Sequence, residues 1–402
     1  MHTSVVQPAQ WLLFTLVGLP QFSETVYSPS LPDIAQALKT SVSMVEYTLT
    51  IYLFAFSLGM LCWGKISDAW GRKPSMLAGI AIYLVGCIGC YFSSSITLLL
   101  ASRFVQAFGG SAGSVIGQAM CRDVFQGKAL SRVYAAMATA LGVPPAIGPA
   151  VGGFIAERFG WTYVFLLLIV VAAFVMALVV VRLPETLSDQ ERRSFSLISI
   201  LWRLLKDKRV MAYAWCIGCV NGIMFSYFSE GPFYLIKTLG LSPIWYGRSF
   251  IVIAVAMMAG GRLASYLHGK YDVDVVLQRG AFMMIGATGF FAFVAVMNAV
   301  WAVPASVMIG VTLVAHMISM AGRCLVNSSA LSIALADYRW CSGTASSVFG
   351  FIYYLIVSLI TFGIGLLHNG TLYVMPLYFL VVCLSMVPVA HVSRERNAEA
   401  HG

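Results

Sequence analysis

The chain has 402 residues, 59% of them hydrophobic and only 10% charged, with a formal net charge of +9 at pH 7. Water-soluble domains carry roughly 25% charged residues, so this composition excludes an ordinary soluble enzyme or binding module and describes a chain built for lipid.

A hydrocarbon core of roughly 30 Å takes ~20 apolar residues to cross as a helix. In lipid every backbone N–H and C=O must be satisfied within the segment, so such runs are helices. Tyr163 to Val181 is an unbroken run of this kind. Hydropathy and helix breakers predict twelve spans, at 11–32, 44–64, 75–93, 97–120, 131–154, 161–182, 209–236, 244–266, 278–297, 303–334, 342–367 and 371–391. The ten residues before Trp11 are too short for a cleaved signal, so the first span is expected to be retained. Between spans six and seven lies one long polar segment, which opens Leu183-Pro184-Glu185-Thr186 and carries Arg192, Arg193, Arg203, Lys206 and Lys208. Its place at the midpoint divides the chain into a six-helix bundle at 1–182, a cytoplasmic central loop at 183–208 and a second six-helix bundle at 209–402.

Charge sets the expected orientation. With the amino terminus in the cytoplasm, two of the 25 Lys and Arg (Arg103 and Arg323) fall inside spans, and Lys39, Arg158, Lys237 and Arg248 fall outside. The remaining nineteen face the cytoplasm, a strong positive-inside bias that places both termini there. The same bias accounts for the net charge, so no nucleic acid is expected as a partner. The nine cysteines include Cys87-Ile88-Gly89-Cys90 and Cys216-Ile217-Gly218-Cys219, but both pairs lie inside spans, where a thiol is a small packing group. No metal site and no cofactor is expected from them.

Several motifs carry mechanism. The loop between spans two and three reads Gly64-Lys65-Ile66-Ser67-Asp68-Ala69-Trp70-Gly71-Arg72-Lys73, with glycines at the positions of tight turns and close helix approach. Arg122, Asp123 and Arg132 lie nearby after the fourth span. In that span Arg103, Gln106, Gly110, Ser114 and Gln118 recur at i, i+3, i+7, i+11 and i+15, one polar stripe on an apolar helix, which is expected to face an aqueous cavity or another helix. The fifth span contains Gly142-Val143-Pro144-Pro145-Ala146-Ile147-Gly148-Pro149-Ala150-Val151-Gly152-Gly153. Proline kinks such a helix and glycine lets a neighbour approach. A repeat offset of 212 residues places Gly109-Gly110 over Ala321-Gly322, the trace expected of a duplicated six-helix half.

The loop between spans two and three closely resembles the signature of the major facilitator superfamily. That resemblance implies a twelve-helix, all-α membrane fold of two pseudo-symmetric halves. It also implies that Asp68 caps the positive end of the eleventh helix and locks the cytoplasmic side, with Gly64, Gly71, Arg72, Arg122 and Asp123 in the gating cluster. The fourth-span stretch resembles the family's second motif. Gly148, Pro149, Gly152 and Gly153 resemble its antiporter motif, with Pro144 standing where the usual pattern has glycine; there the motif marks exporters. Tyr27-Ser28-Pro29-Ser30-Leu31-Pro32, Phe228-Ser229-Glu230-Gly231-Pro232-Phe233, Gly240-Leu241-Ser242-Pro243 and Gly343-Thr344-Ala345-Ser346 are similar to the bicyclomycin/chloramphenicol-resistance (Bcr/CflA) branch of drug:proton antiporters.

Charges inside spans cost ~2.5–3.5 kcal/mol on insertion scales and by default mark function. Glu24 lies with Gln21 and Ser28 on one stripe, ~20 Å deep at 1.5 Å per residue, and is the candidate proton carrier. The branch places an Asp one position later, where this chain has Thr25. Glu230, at comparable depth in the seventh span, is the second candidate for proton coupling. His316, Met320, Arg323 and Asn327 form an i, i+4, i+7, i+11 stripe expected to face the substrate cavity along with Gln21, Ser28, Arg103 and Gln106. Arg323 is open to two readings, an interhelical ion pair with Glu24 or Glu230, or a site for a carboxylate-bearing substrate.

The leading expectation is a non-enzymatic, proton-coupled exporter of small organic molecules in a cytoplasmic (inner) membrane, acting as a monomer with substrate, protons and lipid as its partners. Two others stay open: a transporter of an anionic metabolite or siderophore-like carboxylate, and a non-transporting membrane receptor.

Overall fold

A computed structural model describes residues 7–187 and 196–387. Arg192 and Arg193, and the end of the twelfth span beyond residue 387, lie outside these described residues. Within them the chain is all helical, with α1 (Gln10–Val26), α2 (Leu31–Ala37), α3 (Val42–Trp70), α4 (Arg72–Tyr91), α5 (Ile96–Val124), α6 (Gly127–Ala140), α7 (Pro144–Phe159) and α8 (Thr162–Arg182) in the first half. The second half holds α9 (Leu197–Lys206), α10 (Lys208–Pro232), α11 (Pro243–His268), α12 (Val273–Met297), α13 (Ala305–Ile333), α14 (Ser342–Leu367) and α15 (Val374–Leu384). Eight helices are long and apolar enough to cross a membrane by length and composition.

Twelve spans are made from these pieces because proline interrupts three of them. The first runs α1, a 3-10 turn at Ser28–Ser30, then α2, with Pro29 and Pro32 at the break. The fifth is α6 plus α7, parted before the Pro144-Pro145 pair. The seventh is α10, which widens after Pro232 into a π-helix at Phe233–Thr238. Side-chain caps fix the starts of other spans. Ser41 accepts from Met44 N–H at 3.3 Å, Ser95 from Leu98 N–H at 3.3 Å, and Ser242 from Trp245 N–H at 3.3 Å. Each satisfies one of the orphan donors of a helix amino end.

The central segment is not simply polar loop. Residues Leu197–Lys206 form α9, which buries Ile200 and Leu204 and exposes Ile198, Trp202 and Leu205. An apolar outer flank with Arg203 and Lys206 at its end suits a helix lying in the headgroup plane. The sequence reading missed α9 because ten residues are half the length of a span and its basic residues look like loop.

Across the halves, α3 runs beside α14 and α7 beside α11. The α3–α14 seam extends over most of both helices. Ser358 donates to the Thr50 carbonyl at 3.0 Å, the methyl group of Met60 meets Gly350, and Gly64 faces Ser347. The α7–α11 seam runs from the start of α7, where Pro145 and Ala146 face Phe250 and Met257, to the contact of Gly153 with Pro243.

Candidate functional site

The α7 seam is built by the fifth-span motif. A Cβ added at Gly148 would sit 2.2 Å from Thr25 Oγ1, one at Gly152 1.6 Å from the Val26 carbonyl oxygen, and one at Gly153 2.3 Å from the Pro243 carbonyl oxygen. The approach is mutual, because a Cβ at Gly247 of α11 would lie 2.2 Å from the Pro149 carbonyl oxygen. Glu157 Oε2 accepts the Ile244 N–H at 3.1 Å and so caps the start of α11. Ser28 donates to the Phe228 carbonyl at 2.5 Å and lies 3.2 Å from the Tyr246 hydroxyl. Ser28 is therefore a tie between halves, not a cavity residue as its place on the Gln21–Glu24 stripe predicts. The 3-10 turn rotates it off that stripe.

Next to this seal is a small cleft between the halves. Pro145 and Ala146 of α7 wall it on one side; Met224 and Phe228 of α10, Phe250 and Met257 of α11, and His316 and Met320 of α13 wall it on the other. His316 stacks on Tyr227, ring centroids 3.6 Å apart. No charged side chain lines it, which suits an apolar or aromatic molecule with one hydrogen-bonding feature.

The buried charges sort into separate clusters. Arg103 has no exposure, gives Nη1–H to Gln106 Oε1 at 2.6 Å, and lies with its guanidinium 4.0 Å from the Tyr27 ring centroid and 4.2 Å from that of Tyr52. Gln106 in turn reaches Cys87 Sγ at 3.1 Å. The stripe on α5 thus faces α1 and α4 within the first half, and Arg103 and Gln106 do not line a cavity. Close glycine contacts draw α4 and α1 onto α5 and close the space a substrate would need. Arg103 Nε and Nη2 and Glu24 Oε1 have no hydrogen-bond partner, although Glu24 lies within electrostatic reach of Arg103, Tyr52, Tyr353 and Tyr354. Gln21 is only half-buried, at the edge of this cluster.

Arg323 is half-buried and donates from Nη2 to Asn221 Oδ1 at 2.6 Å, while Asn221 donates to Asn327 Oδ1 at 3.2 Å. Neither Glu24 nor Glu230 is its partner; of the two readings left open, the ion pair is not formed, and Arg323 sits in an amide network between α10 and α13. Glu230 pairs instead with His368 Nδ1, at 2.8 and 2.9 Å from its two oxygens. Nothing in the sequence joins two residues 138 positions apart.

Where α3 ends and α4 begins, the gating motif folds on Arg72. Its Nη1 meets Asp68 Oδ1 at 2.5 Å and Ser67 Oγ at 2.8 Å, and its Nε meets Asp123 Oδ2 at 2.8 Å. Thr186 adds a hydrogen bond to Asp123 Oδ2 at 3.1 Å. The Asp68 side chain is 61% exposed, and α14 starts without a side-chain cap from it. The expected helix cap is therefore absent here: a full guanidinium charge four residues away outcompetes the half charge of a helix end. Arg122 is half-buried beside this network. Glu185, read from sequence only as part of the polar segment, accepts the N–H groups of Arg72 at 2.9 Å and Lys73 at 3.0 Å and caps α4. Gly71 permits this with φ of 99°, and a Cβ there would lie 2.7 Å from Glu185 Oε2.

Two six-helix halves, joined along the α3–α14 and α7–α11 seams with a small cleft between them, define a membrane transporter architecture. The chain belongs to the Major Facilitator Superfamily, whose family model matches residues 13–361. It is 35% identical over 382 residues to an uncharacterized transporter of Rickettsia bellii, covering 93% of this chain and 94% of that one. It is also 27% identical to a chloramphenicol resistance protein of Pseudomonas aeruginosa (94% and 88% covered) and 30% identical to a bicyclomycin resistance protein homolog of Haemophilus influenzae (64% of each). These relatives support the drug:proton antiporter branch read from the motifs. A crystal structure of a D-xylose-proton symporter shares the fold, with a TM-score of 0.75 at 13% identity over 94% of this chain and 96% of that one.

Proposed function

We propose that the protein is a proton-coupled exporter of small, largely apolar organic molecules, working by alternating access as a single chain in a bacterial inner membrane, with both termini in the cytoplasm. The two moving bodies are residues 1–182 and 209–402, hinged through the segment between them. The observation that carries this reading is the uncharged, aromatic cleft between the halves, walled on one side by the start of α7; it is small as the helices now stand, and the halves would part to admit a substrate. Pro144, next to that wall, accepts a hydrogen bond from Thr25 at 3.4 Å, and Thr25 follows Glu24. Glu24 is thus one residue from a contact between α1 and the start of α7, the helix that walls the cleft. Its buried carboxyl, with one oxygen unpartnered, is the proton carrier in this reading. Drug resistance in the names of two relatives agrees with such a substrate.

A second reading has one specific support. Arg323 has Nε without a hydrogen-bond partner and is only half-buried, one turn from the cavity residue Met320. A carboxylate could complete it. The test for both is uptake into inverted vesicles of a panel of cationic, neutral and carboxylate compounds under a pH gradient of either sign. Proton-driven accumulation of neutral or cationic compounds supports the first reading. Accumulation of carboxylates alone supports the second, and no gradient-dependent transport by vesicles containing folded protein overturns both.

A further inference from the structure

At the outer end, away from the cavity, three side chains from three helices converge. Glu46 of α3, Glu230 of α10 and His368 at the end of α14 each offer a ligand atom, and these atoms all lie within 4.8 Å of one another. Glu46 is fully buried, and neither of its carboxylate oxygens has a hydrogen-bond partner. Its Oε2 rests against Gly365, where a Cβ would lie 3.0 Å away, so α14 makes room for this acid one turn before it delivers His368. His368 Nδ1 already holds both Glu230 oxygens, at 2.8 and 2.9 Å.

A second carboxylate buried without a donor beside this pair is costly unless a cation joins it. A proton shared between Glu46 and Glu230, whose carboxyl groups lie within hydrogen-bonding reach of each other, is the competing way to relieve that cost, and the experiment below separates the two. From these contacts we propose that Glu46, Glu230 and His368 form a binding site for one borderline divalent cation of the Zn²⁺ class. Two carboxylates and one imidazole are a common donor set for such ions and leave a fourth position for water. A dication would bring the two acids to neutrality and displace the proton between His368 and Glu230. Donor–metal distances near 2.0–2.2 Å require the three groups to close up slightly, and Glu46, unrestrained by hydrogen bonds, is the one free to move. His368 keeps 15% of its side-chain surface exposed, which gives the ion a way in from outside.

The site has a consequence for gating. Glu46 belongs to the first half and its two partners to the second, so the ligand set is complete only while the outer ends are together. A bound ion staples the outer gate shut. This inference goes beyond the export reading and does not depend on substrate or direction of transport.

The test is metal binding to the purified full-length protein in lipid nanodiscs. Zn²⁺ calorimetry should give a single saturable equivalent, weakened about tenfold or more in each of Glu46→Gln and His368→Asn. Amide exchange at the outer ends of α3 and α14 should slow when Zn²⁺ is added. His368→Cys keeps a metal donor, so it should retain Zn²⁺ binding and give Co²⁺ a thiolate charge-transfer band absent from the parent. That variant tests the site even where Glu46→Gln fails to fold. Absence of saturable Zn²⁺ binding at millimolar concentration would mean that the cluster holds protons only and overturns the proposal. So would Zn²⁺ affinity unchanged in folded Glu46→Gln, or a folded His368→Cys whose Co²⁺ spectrum lacks the band.

Discussion

Individual residues here do opposite things with the same chemistry. Arg72 is spanned by acceptors on all sides, whereas Arg103 is buried with two of its nitrogens unpartnered. Within the Arg72 cluster the two acids are unequal: the Asp68 side chain is 61% exposed and that of Asp123 only 16%. An exposed ion pair contributes at most ~1 kcal/mol, while a half-buried charged hydrogen bond contributes ~1.5–3 kcal/mol. Asp123→Asn is therefore expected to lower thermal stability clearly more than Asp68→Asn, as read by thermal denaturation in detergent. Equal shifts would mean that Asp68 has another partner in the cycle. Glu24→Gln fixes the neutral carboxyl, so proton-driven accumulation should be lost while substrate exchange across vesicles persists. Continued uphill transport by Glu24→Gln would remove that residue from coupling. Glu185 gives the pH dependence. Burial alone would raise its carboxyl, but four backbone N–H donors outweigh this and hold it below the ordinary range. A depressed folded value contributes stability that is present above the unfolded value and lost as pH falls through the folded one. Amide exchange at Arg72 and Lys73 should therefore accelerate below about pH 4 in the parent protein. In Glu185→Gln it should be fast at neutral pH already.

At the level of elements, what was legible depended on how far a signal reached along the chain. Among the described residues a helix stands at each of the twelve expected spans, because hydropathy and proline act within a few residues. The Gly148-Pro149…Gly152-Gly153 motif was readable as a close-packing face, since glycine spacing is local, but its partners Val26 and Pro243 were not. The polar stripe of α5 was legible as a stripe facing a cavity or another helix, and folding sets it against α1, α3 and α4, because periodicity gives a face and not what covers it. Glu46 escaped notice altogether. It sits near the start of α3, where an acid looks solvated, and only folding brings Glu230 and His368 beside it. The same locality makes the α7 seam easy to break. A Cβ at Gly152 would overlap the Val26 carbonyl, so Gly152→Leu must push α1 or α7 aside, at a cost on the order of 2 kcal/mol for overpacking. Gly148→Leu meets only the Thr25 side chain first and should cost less stability. Both variants are expected to lose tight, gradient-driven transport. A fully active and ion-tight Gly148→Leu protein would show that the seam is not the outer seal.

For the whole molecule the question is which half carries substrate specificity. Most of the cavity wall belongs to α10, α11 and α13, and the first half contributes only Pro145 and Ala146. The first half instead holds Glu24, Arg103 and the Arg72 cluster. In the export reading this division separates recognition from coupling, and Arg323 is where the two readings of function part. A half-buried guanidinium held by Asn221 attracts an anion and repels a cation. If carboxylates are the cargo, Arg323→Ala should weaken their binding by 100-fold or so, the loss of a charge-assisted pair worth about 3 kcal/mol. If the cargo is neutral or cationic and occupies the cavity beside His316, the same change should alter its binding less than tenfold. His316→Ala should then be the more damaging variant, because it removes the ring stacked on Tyr227 and opens the wall. Measuring binding of one carboxylate and one neutral aromatic compound to both variants separates the cases. A carboxylate lost only in Arg323→Ala moves the cargo to anions. A neutral compound lost mainly in His316→Ala keeps it with drug-like molecules, and it locates recognition in the second half, where the uncharged wall already lies.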